Sequence, residues 1–124
     1  MVEYNANPMF KRVGDCTVRA ISKALGESWE TTYVGLCIQG FIMCDIPNAN
    51  SVWGAYLRSK GFRREIIPND CQDSYTVNDF CREHPTGKYV LALSGHVVAI
   101  CDGDFYDTWD SGEETPIYYW YKEE

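Results

Sequence analysis

The apolar positions of this chain keep a helical rhythm in its first half and a strand rhythm in its second. Val18, Ile21 and Leu25 recur at i, i+3 and i+7, which predicts a helix from Cys16 to Leu25 with one buried face. Asp15 precedes it as an N-cap whose carboxylate is expected to accept a first-turn amide hydrogen. Gly26 stands where a left-handed residue ends a helix. Ser28 caps a second predicted helix, Trp29 to Gln39, in which Trp29, Tyr33, Leu36 and Cys37 share helical spacing and Gly40 is the stop. Phe41 to Asn50 reads as a loop around Pro47. A third helix is expected from a cap at Asn50 or Ser51 to Ser59, with Val52, Ala55, Tyr56 and Leu57 inward and Gly61 beyond its end. Thr76-Val77-Asn78-Asp79 has the form of a capping box and opens a short helix to Glu83.

Strand patterns are concentrated after residue 87. Lys88 to Leu93 and Gly95 to Cys101 are rich in branched and aromatic residues. Asp102-Gly103 is a hairpin turn signal, and Asp104 to Trp109 is expected to return antiparallel. Pro116 to Tyr121 is a last aromatic strand, expected to lie on the helices. Earlier, Phe62 to Ile67 reads as a strand ended by Pro68, followed by a loop from Asn69 to Tyr75. Residues 1–14 look irregular, with a turn at Asn7-Pro8. Helices followed by a strand meander predict an α+β fold, N-terminal helices packed on a C-terminal antiparallel sheet. At 124 residues the expectation is a single domain, 1–124.

Composition narrows the function classes. The net charge of −7 argues against nucleic acid or an anionic membrane as partner, since both reward excess Lys and Arg. No apolar run approaches the roughly 18 residues of a membrane helix. The polar start, Met1 to Asn5, lacks a basic-then-apolar export pattern, so a cytoplasmic protein is expected. In that setting the six cysteines are expected as reduced thiols. No Cys-x-x-Cys pair occurs and the two histidines lack zinc-finger spacing, so neither metal nor cofactor is expected. Cys37, Cys44, Cys81 and Cys101 have apolar neighbours and read as small core residues.

Cys16 is different, because it stands at the amino end of a helix. There the backbone dipole favours the thiolate, the reactive form. A nucleophilic thiol needs a base, and the base an orienting group. His84, before Pro85 among charged residues, looks exposed. His96 opens a strand, and the following strand carries Asp107 and Asp110. The turn length ranks these two. A three-residue turn sets His96 opposite Asp110; a two-residue turn sets it opposite Trp109, with Asp107 on its face one pair further along. Asp110 is the favoured orienter and Asp107 the alternative. Trp109 is expected to shield the hydrogen bond or to be plain core. The Cys16 amide is one oxyanion donor, and Asn7, preferred over Asn5, is the candidate second. Asp15 opposes the scheme by raising the thiol pKa unless helix amides or Arg19 take up its charge.

A helix-capping Cys, a Gly-His opening a strand and an Asp on the next strand follow the residue order of the papain-like cysteine peptidases. The segments Asn7-Pro8, Val13 to Ile21, Ser94 to Val97 and Tyr106 to Ser111 also resemble a family of small phage and gut-bacterial proteins. The resemblance implies a minimal papain-like fold, with Cys16 as nucleophile, His96 as general base and acid, and Asp110 or Asp107 as orienter. It implies acyl transfer on an amide or isopeptide bond of a peptide or protein substrate. One departure is the absence of a glutamine shortly before the cysteine, so Asn7 would have to supply the oxyanion donor. A cell-wall amidase, a transglutaminase-type enzyme and a catalytically silent module binding a phage or host protein are the alternatives. Loops Phe41 to Asn50 and Asn69 to Tyr75 are expected to form the specificity pocket.

Overall fold

A computed structural model describes residues 1–67 and 75–122. The expected loop at Asn69 to Tyr75, the strand stop at Pro68 and Cys71 therefore lie wholly or mostly outside the described residues. In chain order the elements are β1 (Val2–Glu3), α1 (Cys16–Leu25), α2 (Trp29–Met43), α3 (Asn50–Ser59), β2 (Phe62–Ile66), α4 (Val77–Glu83), β3 (Lys88–Leu93), β4 (His96–Cys101), β5 (Asp104–Asp107) and β6 (Pro116–Lys122). The fold is α+β, and the strands form one six-stranded sheet in the order β1-β5-β4-β3-β6-β2.

The sheet departs from the expected antiparallel meander in two ways. The short β1 pairs in parallel with β5, so the sheet is mixed. No apolar pattern marks a two-residue strand, and β1 is held by backbone bonds, including the Tyr4 amide on the Asp107 carbonyl at 2.9 Å. The last strand does not follow β5 in space. β6 crosses back to lie between β3 and β2, because β1 and β4 already occupy the two sides of β5.

Both faces of the sheet are covered. Val90, Ala92, Val97 and Ala99 pack with Ala20, Ile21, Leu36, Trp53, Leu57 and Trp120, beneath α1, α2 and α3. Leu91, Leu93, Val98 and Ile100 alternate to the other side, against Val77, Phe80 and Cys81 of α4. This is why β3 and β4 read as continuous apolar runs rather than as alternating ones. The capping box of α4 forms as the sequence predicts, with Thr76 and Asp79 bonding reciprocally.

Helix α2 runs past its expected stop at Gly40 to Met43, and Cys44 closes it in the left-handed conformation (φ 55°). Gly40 serves close approach instead. A Cβ there would lie 2.8 Å from the Asp45 carbonyl oxygen, where the chain folds back. Likewise a Cβ on Gly35 would strike the Tyr56 ring at 2.5 Å, which lets α2 and α3 cross closely. Helix α3 begins at Asn50 without a side-chain cap, and Asn50 Oδ1 accepts from the Trp53 indole at 3.0 Å instead. Among the expected core cysteines, Cys81 and Cys101 are buried, Cys37 is half-buried and Cys44 is exposed at its helix end. None of the five described cysteines is paired.

Candidate active site

Helix α1 lies over β4, and its amino end brings Cys16 to the start of that strand, where His96 stands. The Cys16 thiol shares one cleft with the His96 ring and Val97, and both act on its titration. The other side of the ring faces Asp107. His96 Nε2–H donates to Asp107 Oδ2 at 2.7 Å. An ionised carboxylate only accepts, so this contact fixes the proton on Nε2 and leaves Nδ1 for the sulfur.

Asp107, not Asp110, is therefore the orienting carboxylate. The β4–β5 hairpin has a two-residue turn, pairing Cys101 with Asp104, and Asp102 and Gly103 both adopt positive φ (50° and 85°). That is the turn an Asp-Gly pair favours. It excludes the three-residue register that would have set Asp110 opposite His96. Asp110 is exposed, and its carboxylate caps the following turn by accepting from the Gly112 amide at 3.0 Å.

Asp107 is fully buried and accepts from every side. Oδ1 takes the Arg19 Nη2 at 2.9 Å and the Thr108 amide at 2.8 Å. Oδ2 takes the Ser111 hydroxyl at 2.7 Å as well as His96. Arg19, also buried, spans two carboxylates, because its Nη1 donates to Asp15 Oδ1 at 2.8 Å. Asp15 Oδ2 in turn accepts from the Trp29 indole at 2.9 Å. One connected chain of bonds thus runs Trp29–Asp15–Arg19–Asp107–His96–Cys16.

The expected cap at Asp15 does not form. Asp15 occupies the N-cap position of α1, but its side chain bonds no first-turn amide. The Arg19 guanidinium is a charged and therefore stronger donor than a backbone amide, and the Trp29 indole takes the second oxygen. Asp15 is thereby paired with Arg19, a cation it shares with Asp107, which weakens the objection that its charge would suppress the thiolate. Among the described residues no side chain caps the first turn of α1, so the Cys16 amide has no competing acceptor there.

The electrostatics follow from these contacts. Burial pushes the Cys16 thiol up, but the His96 hydrogen bond, the Val97 amide and the charges of His96 and Arg19 bring it below its usual value. Burial opposes the His96 cation, yet the bonds to Asp107 and Cys16 raise its pKa to about 9. Burial likewise works against the Asp107 charge, and the bonds from His96 and Ser111 nonetheless hold it below the ordinary range. The three directions agree in favouring the charged forms: thiolate at Cys16, imidazolium at His96 and carboxylate at Asp107.

Trp109 is half-exposed with its ring 4.8 Å from that of His96, so it flanks the imidazole and is not core. His84 is not exposed: its ring stacks on Phe80 at 3.8 Å and its Nδ1 bonds the Phe80 carbonyl at 2.8 Å, away from the site. Asn7 is buried and its Oδ1 accepts from the Met9 and Lys11 amides at 2.9 and 3.3 Å, a turn-forming role. It lines a cavity with Gly14 and Asp15 next to Cys16, but not the cleft of about 400 Å³ that holds Cys16 and His96. Among the described residues no group of three or more His, Cys, Asp or Glu is arranged to hold a metal ion. No helix among them is long and apolar enough to cross a membrane.

Sequence reasoning missed Ser111, Trp29 and the bridge from Arg19 to Asp107. The Asp15–Arg19 half was open to view, since residues four apart on a helix are neighbours. Nothing local to Arg19 points to a partner 88 residues away. Comparison with protein-family models, with curated proteins and with solved structures finds no match to this chain.

Proposed function

We propose that this protein is a thiol hydrolase of minimal papain-like type, cleaving an amide or isopeptide bond of a peptide or protein substrate by acyl transfer. The observation that carries the reading is the His96 imidazole set between the Cys16 thiol and the Asp107 carboxylate, with its Nε2 2.7 Å from Asp107 Oδ2. Nucleophile, base and orienter then stand in the order that covalent catalysis needs.

In this mechanism His96 Nδ1 holds the proton of Cys16, and the thiolate attacks the substrate carbonyl carbon. The carbonyl oxygen takes up the electron pair and is stabilised by the Cys16 amide. The intermediate collapses, the C–N bond breaks, and the His96 proton passes to the leaving amine. Water then gives a proton to His96 as its oxygen attacks the thioester, and the free acid and the Cys16 thiol are regenerated. Asp107 keeps the Nε2 proton of the ring in place throughout, and Arg19 pairs with the other oxygen of that carboxylate. A reducing cytoplasm suits this chemistry, because Cys16 must remain a thiol.

The test is acylation by an activated ester. With p-nitrophenyl acetate we expect a burst of nitrophenol near one equivalent per chain and a mass increase on Cys16. Both should vanish in Cys16→Ala. Slow release without a burst, or acetyl groups spread over lysines, would overturn the hydrolase reading.

A further inference from the structure

Helix α2 is short of charge on every side. Of its 15 residues only Glu30, in the first turn, is ionised. A helix that is apolar all round is ordinarily buried all round, yet only Thr32, Leu36 and Gly40 of α2 are buried against the rest of the chain. On the opposite side Val34, Ile38, Phe41 and Ile42 fall on one stripe and are 54, 56, 85 and 68% exposed. They leave roughly 500 Å² of apolar surface, a size at which a patch on one chain signals an interface.

The stripe has a groove toward one end and protruding groups toward the other. Val34, Gly35, Ile38 and Tyr56 line a groove of about 520 Å³ between α2 and α3, with Glu30, Thr31 and Lys60 at its margin. Gly35 keeps it open, since any side chain there would strike the Tyr56 ring. Phe41 and Ile42 stand out one turn beyond Ile38. Ile38 is the midpoint of the pattern: Val34 and Ile42 lie four residues to either side, Gly35 and Phe41 three. A twofold axis crossing α2 at Ile38 would set two copies antiparallel, with Ile38 against Ile38. Phe41 and Ile42 of each copy would then lie over Gly35 and Val34 of the other. Protrusion meets groove twice, which is the self-complementarity that an isologous contact demands.

Charge points to the same occupant. At a net charge of −7 the copies repel one another in general. The stripe itself carries no charge, so two copies can meet there without facing like charges. With Glu30, Thr31 and Lys60 added, the covered area approaches the roughly 800 Å² per partner of a stable interface. The apolar centre and polar margin are those of such a contact.

We infer that this protein forms a twofold-symmetric pair through the α2 stripe, α2 of one copy antiparallel to α2 of the other. The inference does not rest on the hydrolase reading. The cleft of Cys16 and His96 shares no residue with the stripe or its groove, so each copy carries a complete site.

Sedimentation velocity of the reduced protein tests it, over a range of roughly 1–100 µM that brackets the weak end of contacts this size. We expect the mass of two chains at the upper end. Ile38→Asp sets two like charges face to face at the axis and should weaken pairing at least about 100-fold. Phe41→Asp should do the same by burying an unpaired carboxylate. Both positions are exposed in the single chain, so the circular dichroism and the p-nitrophenyl acetate response of the parent should be retained. In a second measurement Ile38→Cys, in a Cys44→Ser background, is oxidised with copper-phenanthroline. It should give a covalent dimer linked from position 38 to position 38. A single-chain mass at every concentration would overturn the inference, and flotation of that monomer with phosphatidylcholine vesicles would assign the stripe to a lipid surface instead. Pairing that survives both aspartate variants, or no link at position 38, would also overturn it.

Discussion

Arg19 and Asp107, 88 positions apart in the chain, meet at 2.9 Å with both side chains closed off from solvent. The contact joins the first helix to the β5 strand and fixes the carboxylate that orients His96. Arg19 is thus a positioning residue. It touches neither sulfur nor imidazole, but it determines what stands behind them.

Its removal should be costly. Arg19→Met leaves Asp15 and Asp107 buried without their cation, and breaking a buried pair from one side costs about 3–5 kcal/mol. Urea unfolding should show that loss. Asp15→Asn added to Arg19→Met should restore part of it, since one of the two stranded charges is then gone. Arg19→Lys should rescue little, because an ammonium cannot present the forked donors that span two carboxylates. Full stability in Arg19→Met would mean that the bridge is not formed in solution.

Asp107 and Asp110 should separate cleanly by kinetics. Asp107→Asn should lower kcat on an activated ester or peptide by about 10²–10⁴-fold, the scale set by loss of the orienting carboxylate in a triad. Asp110→Asn removes only a turn cap at an exposed position and should stay within about threefold of the parent. The reverse ranking would restore the three-residue turn and the Asp110 register.

Stability against pH gives a third prediction, with opposing signs. The folded His96 pKa is raised to about 9 from 6.5. Its contribution is full below 6.5 and is lost as pH rises through about 9. The folded Cys16 pKa is lowered from 9.0, so its contribution is present above 9.0 and is lost as pH falls through the folded value. Above both 6.5 and the folded Cys16 value, and below about 9, the folded pair holds one proton, on the imidazole. The unfolded pair also holds one, on the thiol. The parent protein should therefore be nearly flat in stability across this window. Cys16→Ser removes the compensating term, and its stability should fall with rising pH while Asp107 still holds the imidazolium. A flat profile in both proteins would contradict the ion pair.

Much of this site was readable from the letters, and the unreadable part has physical causes. Cys16 announced itself by its place at a helix start, and His96 by opening a strand before a carboxylate-bearing one. Choosing between Asp107 and Asp110 turned on one residue of turn length. The Asp102-Gly103 pair pointed to the shorter turn, but the other register gave the more direct pairing on paper. The parallel strand β1 is too short for any periodicity to mark it. Gly40 looked like a helix stop because a glycine needed for close approach and one needed for a left-handed turn are the same letter. The second face of the sheet was hinted at by the unbroken apolar runs of β3 and β4, which a one-sided sheet would have interrupted with polar residues. The Arg19–Asp107 bridge, the centre of the network, is purely tertiary.

The most direct test is the pH dependence of Cys16 alkylation by iodoacetamide, followed by mass spectrometry in the parent, His96→Ala and Asp107→Asn proteins. In the parent the thiolate should react at lower pH than an ordinary thiol, with a second inflection near pH 9 as His96 loses its proton. In His96→Ala the lower inflection should move up toward the value of an ordinary buried thiol and the second should disappear, with Asp107→Asn in between. Identical profiles in all three proteins, with Cys16 reacting like an unassisted thiol, would contradict the triad.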